Sequence, residues 1–165
     1  MKHISVLALM LLVSACGLRP LYGSGEGGEV AQALRTVDVA PIDGKAGWLM
    51  RNALDERLGR DRGTPAQYRL EVELDDSISG FGVRRDDAIT RERRTLRARY
   101  RLVDAAKGTV LLDSTAGSDA GIDVVSSEYA TVAAENTALE RLSQIIADQI
   151  VARVALFAER QTPEK

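Results

Sequence analysis

Residues 90–103, TRERRTLRARYRLV, decide the reading of the fold. Leu96, Ala98, Tyr100 and Leu102 alternate with Arg97, Arg99 and Arg101, and Arg91, Arg93 and Thr95 extend the polar series toward the start. A two-residue period is the mark of a strand with one face on a core and one face open. The open face here is a row of guanidinium groups.

The neighbouring segments fit around this strand. AQYRLEVELDDSI (residues 66–78) alternates in the same way, with Tyr68, Leu70, Val72 and Leu74 on one face and Arg69, Glu71, Glu73 and Asp75 on the other. Gly80-Phe81-Gly82 opens a loop expected to run to about Asp87, which places Phe81 at the tip of the hairpin. Arg84-Arg85-Asp86-Asp87 reads as a solvated turn, and no helix follows the glycines as a phosphate-binding loop would require. Asp104 to Gly108 forms a second hairpin turn, and TVLLDSTAG (109–117) a further strand.

Upstream, Leu34 to Ala40 alternates and stops at Pro41, so it reads as a strand. KAGWLMRNALDERLGR (45–60) has helical spacing at Ala46, Leu49, Met50, Ala53, Leu54 and Leu58, with Gly59 as its stop. Trp48 lies off that stripe, either at the helix edge over the core or as a partner contact. Downstream, Tyr129, Val132, Leu139, Leu142, Ile146, Ile150, Val154 and Phe157 keep the 3.6-residue period from Ser127 to about Arg160, with Ser126 placed to cap the helix. Unbroken, this helix is roughly 50 Å long, so it must either kink or project beyond a small sheet. The order β-α-β-β-β-α predicts one α+β domain: a single four-stranded, mostly antiparallel sheet with two helices packed on one face.

The front of the chain has a different character. Met1-Lys2-His3 leads into an apolar run from Ile4 to Val13, well short of the about 20 residues that span a bilayer. A short basic start, a short apolar run and small residues describe a secretory signal peptide. Leu12-Val13-Ser14-Ala15-Cys16 resembles the lipobox of bacterial lipoproteins. That resemblance implies cleavage before Cys16, a diacylglycerol thioether on its sulfur and acylation of its amine. Residues 1–15 are then the signal peptide, 16–30 the lipidated start and a flexible tether rich in glycine, and 31–165 the domain. Gly17, where an Asp implies inner-membrane retention in enteric-type lipoproteins, favours the outer membrane.

Composition narrows the chemistry. Apolar residues make up 45 % and charged residues 28 % of the chain, enough for a packed core, and the net charge of −2 argues against a nucleic-acid role. The single histidine precedes Cys16 and the single cysteine is Cys16 itself. The mature domain therefore has no imidazole and no second thiol. Ser-His-Asp and Cys-His catalysis, His or Cys metal sites and disulfides are excluded, and no cofactor is implied. A pair of carboxylates is the enzymatic option left open.

Arg91, Arg93, Arg97, Arg99 and Arg101 span roughly 25–30 Å of open sheet at about 3.3 Å per residue. Arginine forks match phosphate and carboxylate geometry, so the row could hold an anionic ligand. Glu71, Glu73 and Asp75 share that face, and a cross-strand salt-bridge ladder explains the same residues without a ligand. The expected register sets those acids opposite some of Arg91, Arg93 and Arg97. Arg99 and Arg101 then run past them, with Asp113 placed to answer one.

Together these pieces resemble the LptE family of lipopolysaccharide-assembly lipoproteins, in the form found in alphaproteobacteria. The matching stretches are CGLRPLYG at residues 16–23, Thr90-Arg91 opening the third strand, and SEYATVAAENTALERLSQIIADQIVARVALF (127–157) as the last helix. The resemblance implies a lipid-anchored protein at the periplasmic face of the outer membrane and no enzymatic activity. It further implies a large β-barrel partner, LptD, which the protein helps to assemble and plugs, and binding of lipopolysaccharide on its way to the outer leaflet. Trp48 and Phe81 are the candidate contacts to the barrel, and the five arginines the candidate ligand surface. An adaptor lipoprotein of another envelope transport or barrel-assembly system, and an envelope glycan hydrolase, are the alternatives.

Overall fold

The computed structural model describes residues 28–61, 63–83, 89–125 and 127–161. Cys16, most of the tether, the Arg84–Asp87 turn and Ser126 lie outside them. The elements are α1 (Glu29–Arg35), β1 (Val37–Val39), α2 (Gly44–Leu58), β2 (Tyr68–Val83), β3 (Ile89–Asp104), β4 (Val110–Asp123) and α3 (Glu128–Gln161). The fold is α+β, with one open mixed sheet in the order β1-β2-β3-β4. β1 runs parallel to β2, with α2 as the crossover that a parallel pair requires, and the other neighbours are antiparallel.

The alternation in β3 is realised as expected. Leu96, Ala98, Tyr100 and Leu102 are each no more than 2 % exposed. They meet Leu70 and Val72 of β2, Val37 and Val39 of β1, Met50, Leu54 and Leu58 of α2, and Leu139, Leu142, Ile146, Ile150 and Val154 of α3 in one core. Burying each such aliphatic side chain contributes about 1.5–3 kcal/mol. Two polar pairs join α2 to α3 above this core: Lys45 Nζ to Asn136 Oδ1 at 2.6 Å and Arg57 Nε to Asp148 Oδ1 at 2.5 Å. Both pairs span 91 residues, so the two helices run parallel and in step.

Several expectations about element bounds need correction. Leu34 and Arg35 belong to a helix, α1, and not to the first strand. Apart from Val30, its sequence EVAQALR is made of good helix formers, with Glu29 in the first turn and Arg35 in the last, as the helix dipole favours. Leu34 anchors it in the core. The fold thus has three helices where two were expected. β2 does not end at Ile78: Ser79↔Arg93, Phe81↔Arg91 and Val83↔Ile89 continue the ladder, so Phe81 sits within a strand and not at a loop tip. β4 passes Gly117 and reaches Asp123.

These long strands also account for the last helix. At about 3.3 Å per residue β2 and β3 are roughly 50 Å long, a match for the 34-residue α3. The helix therefore lies along the sheet and need not kink. Its first turns carry less of the core than the periodicity suggests: Tyr129 is 86 % exposed and Val132 is exposed, whereas Thr131 is buried.

Candidate functional site

The face of the sheet away from the helices carries the odd-numbered side chains of β2, β3 and β4. The longer hairpin changes the expected register: Glu71 stands opposite Arg101, Glu73 opposite Arg99 and Asp75 opposite Arg97. On the other side of β3, Arg91 stands opposite Asp123, Arg93 opposite Gly121, Arg97 opposite Gly117, Arg99 opposite Thr115 and Arg101 opposite Asp113. Arg99 and Arg101 do not run past the acids. They are the best paired of the row.

Arg99 grips Asp113 with two bonds, Nε to Oδ1 at 3.2 Å and Nη2 to Oδ2 at 2.8 Å. That hydrogen bond raises the Arg99 pKa and holds the Asp113 carboxyl below the usual carboxylate range. The stability this pair adds is present at neutral pH and fades as pH falls through the lowered Asp113 pKa. Arg101 reaches Glu71 at 3.2 Å and Glu73 at 3.5 Å, and Arg91 reaches Asp123 at 3.0 Å. All are solvent-exposed or half-exposed pairs, and pairs of that kind add little to stability.

Arg93 and Arg97 differ from the other three. Neither forms an ion pair among the described residues, and both are exposed. The Arg93 guanidinium carbon lies 5.3 Å from the centre of the Phe81 ring, a cation–π distance. Arg97 lies across Gly117, where a Cβ would come within 2.4 Å of its Cδ, and its Nη1 donates to the Ser118 and Leu96 carbonyls at 3.1 and 3.3 Å. Asp75, directly opposite, forms no ion pair among the described residues. A shallow, open depression between these strands is lined by Glu73, Asp75, Arg97, Arg99 and Thr115. Acids and bases are interleaved at the Glu71–Asp75 end of this face, and serines, Phe81 and glycines surround Arg93. What marks Arg93 and Arg97 is that neither has a carboxylate partner among the described residues, and that each faces a glycine of β4.

The structure therefore divides the five predicted arginines: Arg91, Arg99 and Arg101 belong to a ladder, and Arg93 and Arg97 do not. Phe81 and Trp48 are not brought together. Phe81 is 40 % exposed and supports Arg93 on the open face. Trp48, on α2, is 65 % exposed, so it does not cover the core. Among the described residues no group of His, Cys, Asp and Glu is placed to hold a metal ion, and no helix is long and apolar enough to cross a membrane.

One residue was missed by the sequence reading. Arg94, at an even position, lies on the helix side of the sheet with its side chain only 11 % exposed. It clasps Asp76 with two parallel bonds of 2.8 and 2.5 Å and donates a third to the Glu135 carbonyl at 2.9 Å. β2, β3 and α3 are tied at this one side chain. The available signal was the break in alternation itself, a charged residue at a core-facing position of β3.

The fold and sequence have known counterparts. The LptE family, described as lipopolysaccharide-assembly, matches residues 34–154. Among solved structures, a lipoprotein of Caulobacter crescentus is 26 % identical with a TM-score of 0.70, covering 83 % of this chain and 100 % of its own. Rare lipoprotein B of Shewanella oneidensis has a TM-score of 0.59 at 9 % identity, covering 75 % of this chain and 95 % of its own. Lipoprotein B of Nitrosomonas europaea has a TM-score of 0.56 at 12 % identity, covering 78 % and 88 %. The last two share the fold. No curated protein matches the sequence. With most of the described domain matched, and with the helix-backed open sheet shared by lipoproteins, this chain belongs to the LptE family of lipopolysaccharide-assembly lipoproteins.

Proposed function

We propose that this chain is anchored through acylated Cys16 to the periplasmic face of the outer membrane. There it plugs an LptD-type β-barrel and binds lipopolysaccharide on its way to the outer leaflet, without catalysing a reaction. Family membership supports the assembly role. The observation that carries the binding surface is the pair of exposed arginines, Arg93 and Arg97, without carboxylate partners among the described residues on a face where the other arginines of β3 are matched. Lipid A phosphates and inner-core carboxylates are anions of the geometry that guanidinium forks take up. A barrel lumen is polar, and the charged open face of this sheet suits such a wall. Phe81 on that face and Trp48 on the helix side are the aromatic anchors proposed for contact with the surrounding lumen wall, since interface energy concentrates in a few aromatic and arginine residues.

The arginine assignment is tested by two double variants of the full chain in detergent. Arg93→Gln with Arg97→Gln is expected to weaken lipopolysaccharide binding by about tenfold or more, because a hydrogen bond to a charged group is worth about 1.5–3 kcal/mol. Its melting temperature should stay close to that of the wild type. Arg99→Gln with Arg101→Gln, which dismantles the ladder, should reduce binding much less. Equal binding by wild type and the Arg93/Arg97 variant, or a larger loss from the Arg99/Arg101 variant, removes these two residues from the ligand site.

A further inference from the structure

The two edges of the sheet are finished differently. At β4, the Gly117 N–H points outward and donates to Gln149 Oε1 of α3 at 3.3 Å, so the long helix covers part of that edge. At β2 the cover is short. β1 pairs only with Tyr68–Leu70, its last bond runs from the Ala40 N–H to the Leu70 carbonyl at 2.9 Å, and Pro41 follows. Leu70 thus turns its backbone groups away from β3. By the strand's alternation the N–H and C=O groups of Val72, Leu74, Asp76, Ile78 and Gly80 face the same way. Among the described residues none of these groups has a hydrogen-bond partner. The row is roughly 25–30 Å long at about 3.3 Å per residue.

Long bare edges are usually blunted by proline, lysine or a bulge, because they template strand addition. Residues 72–83 contain no proline and no lysine, and the β2–β3 register has no irregularity. We propose that this edge of β2 accepts an extended segment of another polypeptide as an added strand, one that alternates basic and aliphatic side chains.

The chemistry of that strand follows from its neighbours. On the open face it would lie beside Glu73, which is 70 % exposed in its side chain, and Asp75, which has no ion-pair partner among the described residues. On the helix side it would lie beside half-buried Leu74 and exposed Ile78. Opposite charges and apolar pairs across strands both stabilise. A second copy of β2 fits poorly, because residues 72–83 also lack arginine and self-pairing brings Glu73 and Asp75 of both copies together without a base.

The inference is tested on the full chain in detergent with a short synthetic peptide alternating lysine and valine, and a control alternating glutamate and valine. Backbone amide exchange is the readout. The lysine peptide should slow exchange at Leu74, Asp76, Ile78 and Gly80 by about tenfold or more, with little change at Glu73, Asp75 and Ser77, whose amides already face β3. Ile78→Pro removes an outward N–H without breaking a β2–β3 bond, so it should lose peptide protection while melting near the wild type. Should that variant fold poorly, Glu73→Lys with Asp75→Lys serves instead, and its preference should switch to the glutamate peptide. Undiminished protection in Ile78→Pro, no switch in the charge variant, or dimerisation of the chain through β2 overturns the proposal.

Discussion

Cys16→Ala should leave the chain unacylated and uncut. Incorporation of a palmitate analogue is expected to fall to background, and the precursor should keep residues 1–15. The size of the effect follows from the chemistry: the thioether needs the sulfur, and cleavage at a lipobox waits for the lipid. Each buried methylene contributes about 0.8 kcal/mol, so two or three acyl chains hold a domain at a membrane where one does not. No helix among the described residues supplies an alternative anchor. Label persisting on the Cys16→Ala protein would show that the lipid is carried elsewhere.

The largest effect within the folded domain is expected at Arg94. Arg94→Met leaves the Asp76 carboxylate, whose side chain is 23 % exposed, without its partner, and leaves the Glu135 carbonyl without one of its donors. Breaking one side of a fully buried ion pair costs about 3–5 kcal/mol. Asp76 keeps some contact with water, so about 2–4 kcal/mol is the expected loss. That corresponds to a fall in melting temperature of roughly 6–12 °C for a chain of this size. Adding Asp76→Leu should restore much of the loss, because replacing both partners removes the stranded charge. Arg99→Met is the control: its pair with Asp113 is exposed on both sides, and a shift of a degree or two is expected. A melting temperature for Arg94→Met within about 2 °C of wild type would mean that the clasp does not hold β2, β3 and α3 together.

Arg94 also shows where the sequence was legible and where it was not. The inward series of β3 could be read because each of its members is buried and its period never slips between Leu96 and Leu102. The ends of the strands could not. In Ser77–Val83 the two glycines look like a turn, yet pairing with β3 holds them in a strand, and only tertiary context supplies that pairing. Gly117 likewise read as a stop, whereas it is a site where the Arg97 side chain takes the space of a Cβ. The first misreading shortened the β2–β3 hairpin and moved its register, whereas the second only cut β4 short. That shift is why Arg99 and Arg101 were expected to be the unmatched residues, where Arg93 and Arg97 are. α1 was missed for another reason. A seven-residue helix is marginal by itself and depends on the core contact of Leu34, which local periodicity does not reveal.

Trp48 and Phe81 were visible in the sequence as aromatics outside the core stripes, and both are exposed. Their roles now differ. Phe81 braces Arg93, so replacing it would disturb the proposed ligand face as well as any barrel contact. Trp48 lies on α2, away from Arg93, which makes it the cleaner probe of a partner.

The most direct measurement is affinity recovery of the tagged chain from detergent-solubilised outer membranes, followed by identification of what comes with it. A β-barrel of LptD size, recovered with lipopolysaccharide by the wild type and in smaller amount by Trp48→Asp, is the expected result. Quantitative recovery of a well-folded, membrane-bound chain with no such barrel would contradict the proposed place of this protein in lipopolysaccharide assembly.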